Sequence, residues 1–265
     1  MNAVKGTAAV TGASAGIGKV YADRLAGRGY NLMLIARRGD RLTANAKELM
    51  SKYGVAVKTI VADLSAEADL ERVKRVIESD ESITMLVNNA GAATLAPSIQ
   101  IKSDARDAMT NLNVTALTRL ALAVLPGFKS RNHGTLINIG SVLGFFSLPI
   151  SSVYSATKGY VLNFTRGLQD EFADTNVAIQ LVLPAATATD LWEISGVPLT
   201  ALNPDHVMSI EDCVDAALAG LDLGEKVTMP SVEDKSLLAR YDAARIALFS
   251  ASQSGKPASR YSSAR

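Results

Sequence analysis

Tyr154 and Lys158 stand four residues apart in the stretch SVLGFFSLPISSVYSATK, 141–158. At that spacing two side chains share one face of a helix, a turn apart. A free phenol titrates at about 10 and is a poor base at neutral pH. An ammonium one turn away favours the phenolate. Drawing that pKa down to roughly 7 corresponds to about 4 kcal/mol of differential stabilisation, reachable where water is excluded. Ser141 lies upstream, at the end of the apolar run TLINIG, which reads as a buried strand. From there its hydroxyl can hydrogen-bond a substrate oxygen from the other side. Together these residue types support proton transfer at an oxygen. Tyr-x-x-x-Lys also occurs on ordinary helix surfaces, so this reading draws its weight from the rest of the chain.

The elements that would position these groups alternate. The strand TAAVT is followed by GASAGIG, with Gly12, Gly16 and Gly18, and then by a helix that stops at Gly29. Glycines there permit a tight turn and close backbone approach, and the helix N-terminus offers free amides to a pyrophosphate. The second strand ends in Arg37 and Arg38, where dinucleotide folds reach the adenosine ribose. Two arginines in place of an acid favour a 2′-phosphate, and so NADP over NAD; the alternative is a solvated loop. Arg41 reads as the first turn of the next helix. The third strand ends in Asp63 and Leu64, with Ser65 as the expected cap of the following helix. The fourth ends in Asn88, Asn89, Ala90 and Gly91, whose amides can tie backbone together or line a ribose pocket. A long helix over 103–129 contains Asn113 among apolar neighbours, so its amide needs partners. The strand before Ser141, a helix over 152–174 and a strand ending at Pro184 complete the alternation.

This pattern predicts an α/β fold: a doubly wound parallel sheet of Rossmann type with helices on both faces, in a single domain. The glycine turn, Arg37, Asp63, Asn88, Ser141 and Pro184 all lie just past the carboxyl end of a strand, where open α/β sheets bind ligands. The expected domain is 1–252, with a substrate loop at about 190–208 that could act as a lid, and a disordered tail at 253–265.

The chain has 265 residues, 48% of them apolar, and a net charge of +1, which gives no global pull toward nucleic acid or membrane. The single cysteine, Cys213, excludes an internal disulfide, and the two histidines have no ligand cluster around them, so no metal site is expected. No apolar run reaches roughly 18 residues and no signal peptide is recognised; a soluble, cytoplasmic protein with no membrane span is expected.

The motifs TGASAGIG at 11–18, Asp63–Leu64, NNAG at 88–91, Asn113, Ser141, YSATK at 154–158 and PAATAT at 184–189 come in the order and spacing of the short-chain dehydrogenase/reductase family, which the chain resembles from Thr7 to Thr189. The resemblance implies a hydride transfer between a nicotinamide and a carbon bearing oxygen, without metal. It implies that Gly12, Ser14, Gly16, Ile17 and Gly18 hold the pyrophosphate side of NADP, that Arg37 and Arg38 contact the 2′-phosphate, and that Asp63 and Leu64 flank the adenine. Asn89, Ala90 and Gly91 would lie along the ribose. Pro184, Thr187 and Thr189 would position the carboxamide. Tyr154 would be the acid or base, Ser141 would orient the carbonyl, Lys158 would bind the nicotinamide ribose, and Asn113 would hold a water linking Lys158 to solvent. Two positions depart from the family's pattern: Ala185 where a glycine is usual, and Gly140 where a second serine is frequent. Phe145, Phe146, Leu148, Leu95 and Trp192 form an expected apolar substrate pocket for an uncharged ketone or alcohol, or else they face the core. A non-catalytic nucleotide sensor on the same fold is the competing reading. Apolar residues in the helices at 103–129 and 152–174 predict a homodimer or homotetramer.

Overall fold

The computed structural model describes residues 5–264. Seven strands, β1 (Thr7–Thr11), β2 (Asn31–Ala36), β3 (Val57–Val61), β4 (Ile83–Asn88), β5 (Gly134–Ile139), β6 (Val177–Val182) and β7 (Val227–Thr228), form one sheet in the order β3-β2-β1-β4-β5-β6-β7. Every pairing is parallel. The chain begins in the middle of the sheet, moves outward to β3, then returns past β1 to lay down β4. That reversal opens a crevice at the carboxyl ends of β1 and β4.

The strands read as unbroken apolar runs because both of their faces are covered. Along β1, Ala8 and Val10 belong to one core and Ala9 to the other; along β2, Leu32 and Leu34 oppose Met33 and Ile35. Helices α1 (Gly16–Gly27), α2 (Gly39–Tyr53) and α8 (Ile210–Asp222) build the first core through residues such as Tyr21, Leu25, Leu42, Leu49 and Val214. On the other face, α3 (Glu67–Ser79), α5 (Leu117–Arg131) and α6 (Ser152–Glu171) contribute Leu70, Val73, Leu120, Phe128 and Leu168.

The helix expected over 103–129 runs from Ser103 to Arg131 but is not uniform. It consists of α4 (Ser103–Thr110), a π turn over Asn111–Ala116, and α5. Such wide turns in α-helices frequently mark functional sites, and this one contains Asn113. Ser65 does not cap α3, whose N-cap is Ala66. The Ser65 hydroxyl instead donates to Asp63 Oδ1 at 2.6 Å, a shorter path that closes the turn after β3.

Three buried polar side chains tie the middle of the sheet to its helices. Asn88 and Asn138 are register partners on β4 and β5. Asn88 Nδ2 donates to Asn138 Oδ1 and to the Leu117 carbonyl, both at 3.1 Å. Asn138 Nδ2 donates to Thr165 Oγ1 at 3.0 Å, and Thr165 Oγ1 to the Val161 carbonyl on α6 at 2.7 Å. Low local dielectric strengthens each bond and makes each unpaired member costly.

The chain packs as two units, one up to Ser231 and one from Val232 onward. The second contains α9 (Ser236–Ser252), none of whose residues is buried, and a 3-10 segment over Ser259–Ala264. Between α6 and α8, the short helix α7 (Leu191–Ser195) interrupts an otherwise irregular loop.

Asn138→Ala should destabilise the protein by about 1–3 kcal/mol, because Asn88 and Thr165 each lose a buried partner. The midpoint of urea unfolding reports the loss; an unchanged midpoint would show that the ladder contributes nothing.

Candidate active site

The turn after β1 is shaped by what it must fit against. Gly12 and Gly16 have positive φ, 69° and 56°. A Cβ on Gly12 would lie 2.7 Å from Asn89 Nδ2, and one on Gly18 would lie 2.5 Å from the Gly12 carbonyl oxygen. The two loops that border the crevice are therefore in backbone contact. Thr11 joins them: its Oγ1 accepts from the amides of Asn89 and Ala90, both at 2.9 Å, and its carbonyl accepts from Asn89 Nδ2 at 2.9 Å. The Asn89 amide is thereby committed to bracing the loops. Thr11 was not singled out from the sequence, where a threonine ending a buried strand carries no distinguishing signal. The result is a cradle at the N-terminus of α1 whose free amides suit a pyrophosphate; a side chain at Gly12 or Gly18 would collide with Asn89 or with the Gly12 carbonyl and force the two loops apart.

Beyond the cradle the wall is charged. Arg37 Nη1 lies 4.0 Å from Asp63 Oδ2. Arg38 Nε donates to Ser14 Oγ at 3.3 Å, and its Nη1 lies 3.9 Å from Asp190 Oδ2. Arg41 Nη1, in the first turn of α2, lies 3.7 Å from the same oxygen. These guanidiniums are largely solvent-exposed, so the pairs are weak and leave charge for a ligand.

Tyr154 and Lys158 project from the first turns of α6 toward the ends of β5 and β6. Lys158 Nζ is 5.8 Å from the centre of the Tyr154 ring and donates to the Ile139 carbonyl at 2.9 Å. Ser141 follows β5 in extended backbone, and its Oγ accepts from the Leu143 amide at 3.1 Å. Burial pushes the Tyr154 phenol up to about 12, opposed by the Ser141 hydroxyl beside it. Burial also pushes the Lys158 ammonium down to about 8. The phenol expected to be drawn toward neutrality by Lys158 is thus held protonated at neutral pH. The shelter that was to strengthen the pair penalises both charged forms first.

Asn113 is buried behind this group. Its Oδ1 accepts from the Ala92 amide at 2.8 Å, and its Nδ2 donates to the Ala92 carbonyl at 2.9 Å and to Thr157 Oγ1 at 3.0 Å. Thr157 Oγ1 donates in turn to the Tyr154 carbonyl at 2.7 Å. The Asn113 side chain thus joins the loop after β4 to the turn of α6 that carries Tyr154.

A cavity of about 570 Å³ runs along the carboxyl ends of the strands. Gly12, Ser14, Gly16, Ile17, Arg37, Arg38, Asp63, Leu64, Asn89, Ala90, Gly91, Ser141, Tyr154, Lys158, Pro184, Thr187, Thr189 and Trp192 all line it. Gly18, Asn113 and Phe145 do not. Phe145 is exposed, and Gly144 before it is backed against Lys158, where a Cβ would meet the Lys158 carbonyl oxygen at 2.8 Å. Phe146 is exposed as well. Leu95, Leu148 and Trp192 line the cavity as expected, and Val142 and Leu143 join them. The loop over 185–209 supplies Leu191, Trp192, Ile194 and Leu202. It is held by a bridge between Thr187 and Met208, by Trp192 Nε1 donating to the Thr187 carbonyl at 2.9 Å, and by the Leu95 amide donating to the Ser195 carbonyl at 2.8 Å.

The family model described as short chain dehydrogenase matches residues 6–196. The chain belongs to the short-chain dehydrogenase family. It is 36% identical over 208 residues to very-long-chain 3-oxoacyl-CoA reductase-A of Danio rerio, a match covering 77% of this chain and 65% of that protein, just under two-thirds of its length. Among solved structures, a short-chain dehydrogenase from Sphingobium yanoikuyae in complex with NADPH is 42% identical with a TM-score of 0.93, covering 97% of this chain and 100% of that one. The bulky-bulky ketone specific alcohol dehydrogenase from Comamonas testosteroni is 38% identical with a TM-score of 0.90, covering 98% and 99%. In this short-chain dehydrogenase the expectation of a cytoplasmic protein with no helix able to cross a membrane does not stand. The helix over Ser103–Arg131 contains a window of mean hydropathy 1.3, long and apolar enough by length and composition to span a bilayer, with half of that window buried inside the fold. Looking for an unbroken apolar run missed it, because scattered polar residues interrupt the run without lowering the average enough. The matches to reductases named for very-long-chain acyl substrates likewise give no ground for a purely cytoplasmic placement.

Lys158 makes the stability of the fold depend on pH. Its folded pKa of about 8 lies below the value of 10.5 for an unperturbed side chain. Between those values the unfolded chain holds the extra proton, so stability rises with pH from about 8 toward 10.5 and is lost as pH falls through 8. Cys213, Tyr154 and Tyr21 are raised and act in the opposite sense at the alkaline end. The unfolding free energy of the wild type should therefore rise relative to that of Lys158→Met across this window; a pH-independent difference would place the amine in water.

Proposed function

We propose that this chain is an NADP(H)-dependent oxidoreductase that transfers a hydride between the nicotinamide and the carbonyl or alcohol carbon of an uncharged, largely apolar substrate. The observation that carries the proposal is the presence of Tyr154, Ser141 and Lys158 on the wall of a single cavity that also reaches the arginines after β2. When bound, NADPH supplies the hydride. The chain's own residues handle the oxygen. A Tyr154 phenol held protonated by burial donates its proton to the developing alkoxide, which is far more basic than a phenolate. The Ser141 hydroxyl donates to the same oxygen while its own oxygen is fixed by the Leu143 amide. The phenolate left behind is stabilised by the Lys158 ammonium, whose attraction for it is strong where water is excluded. Asn113 and Thr157 keep the turn bearing Tyr154 in register with the loop after β4.

Arg37 and Arg38, with Ser14, are the groups suited to a 2′-phosphate, and the cradle lined by Gly12, Gly16 and Ile17, with Gly18 packed behind Gly12, is suited to the pyrophosphate. The rest of the lining decides the substrate class. Leu95, Leu143, Leu148, Trp192, Ile194 and Leu202 offer apolar surface, and the described cations of the lining are Arg37, Arg38 and Lys158, all assigned to the cofactor. An acyl-CoA, the substrate named for the Danio rerio relative, would bring further phosphates with no cation left to meet them. A bulky ketone, as named for the Comamonas testosteroni enzyme, fits the lining better.

We also infer a homodimer formed through α5 and α6. Leu122 and Tyr160 are exposed there, and Tyr160 stacks on Phe164 with ring centres 5.7 Å apart, presenting a rigid apolar face. Light scattering at micromolar concentration should give twice the chain mass or a multiple of it; a monomer overturns this reading.

Tyr154→Phe should lower kcat for ketone reduction by about 10²–10⁴-fold and leave NADPH binding intact. Stopped-assay turnover and titration of NADPH fluorescence measure the two effects separately. Normal turnover in the variant would remove the phenol from the mechanism. Tight NADPH binding by a wild-type protein that reduces no member of a broad ketone panel would favour the sensor reading.

A further inference from the structure

We propose that Asp190 weakens this site's preference for a 2′-phosphate by competing with it for Arg38, beside which Arg41 meets the same carboxylate. The inference rests on the cofactor reading above and goes beyond it, since it names a residue from the substrate-covering loop as a determinant at the opposite end of the cofactor. Asp190 stands in the N-cap position of α7, but its side chain makes no capping bond to that helix. Its carboxylate instead lies 3.9 Å from Arg38 Nη1 and 3.7 Å from Arg41 Nη1, through the same oxygen. Arg38 also donates to Ser14, which is buried at the turn after β1, so its guanidinium is held over the cradle. Asp190, Arg38 and Ser14 all line the cavity.

The carboxylate is the anion that Arg38 and Arg41 share, and an incoming dianionic phosphate would be drawn to the same cations. The contacts are long and solvent-exposed, which makes them weak. A pair of that kind is too weak to hold the loop closed, and the loop has other ties at Trp192 and Ser195. It is strong enough to tax a ligand that must displace it. A cofactor with a 2′-phosphate must take Arg38 from Asp190, or bind beside an uncancelled negative charge. A cofactor with a 2′-hydroxyl meets neither penalty. Asp190 therefore narrows the discrimination that the arginines alone would produce, and it does so from the residue next to Trp192 and Leu191 on the substrate wall.

The experiment titrates wild type, Asp190→Asn and Asp190→Glu with NADPH and with NADH, following nicotinamide fluorescence at two salt concentrations. Asp190→Asn should tighten NADPH by roughly three- to tenfold at low salt, with the gain shrinking at high salt, and should leave NADH near its wild-type affinity. Asp190→Glu, which restores the charge, should return the NADPH-to-NADH ratio toward that of the wild type. Equal weakening of both cofactors by Asp190→Asn would make Asp190 a structural tie and overturn the inference. So would equal tightening of both, which would mean general repulsion of the pyrophosphate, or no change in either. NADH affinity serves as the check that the variant is folded. A wild-type protein that binds NADPH no better than NADH, or binds neither, would count against the cofactor reading itself.

Discussion

The buried ammonium of Lys158 constrains the rest of the site. It sits in low dielectric, where an unpaired charge is very costly, and is held by the carbonyl that ends β5. That bond fixes the first turns of α6 against the strand ends, and with them Tyr154. The Gly144 contact on the Lys158 carbonyl fixes the loop after Ser141 from the other side. Serine, tyrosine and lysine are therefore placed by one patch of backbone at which a strand end, a loop and a helix meet. The protonation states follow from the same burial: it keeps the phenol neutral and makes the ammonium reluctant, so the two charges are best tolerated when they appear together.

A second set of contacts gives the crevice its rigidity. Thr11 and Asn89 bind the loops after β1 and β4 to each other, Asn113 binds the loop after β4 to α6, and the ladder of Asn88, Asn138 and Thr165 repeats the link one layer deeper in the sheet. Polar side chains in a core are retained where each has its partners, and here they connect the elements whose relative position the chemistry requires. The loop over 185–209, by contrast, is attached through a few backbone bonds and the Trp192 indole. The site thus joins a stiff floor to a more lightly tied cover.

Much of this was legible in the sequence because the signals are local. The glycine turn, the alternation of strand and helix, the arginines after β2 and the Tyr–Lys spacing each depend on neighbouring residues, and local rules place them at the carboxyl edge of the sheet. What escaped depends on residues distant along the chain. The sequence does not reveal that Gly144 packs against Lys158, that Phe145 is exposed, or that Thr11 receives two amides from the loop after β4. The π turn at Asn111–Ala116 is invisible to a periodicity count that sees only apolar spacing. The Tyr–Lys spacing shows the Coulomb attraction between the pair but not the burial that raises the phenol against it. Ser65 looked like a cap because its type and position fitted, but Asp63 two residues away offered a nearer acceptor.

The borders of the sheet bear on how the molecule behaves in a crowd of its own copies. On one side β7 presents only two residues, with Pro230 soon after, too short a row of backbone donors and acceptors to recruit a strand from another molecule. On the other side β3 is five residues long but sets Lys58 on its exposed surface, a charge that a stacked neighbour would have to desolvate. An open sheet can thus keep one end free for ligands without extending sideways into fibrils.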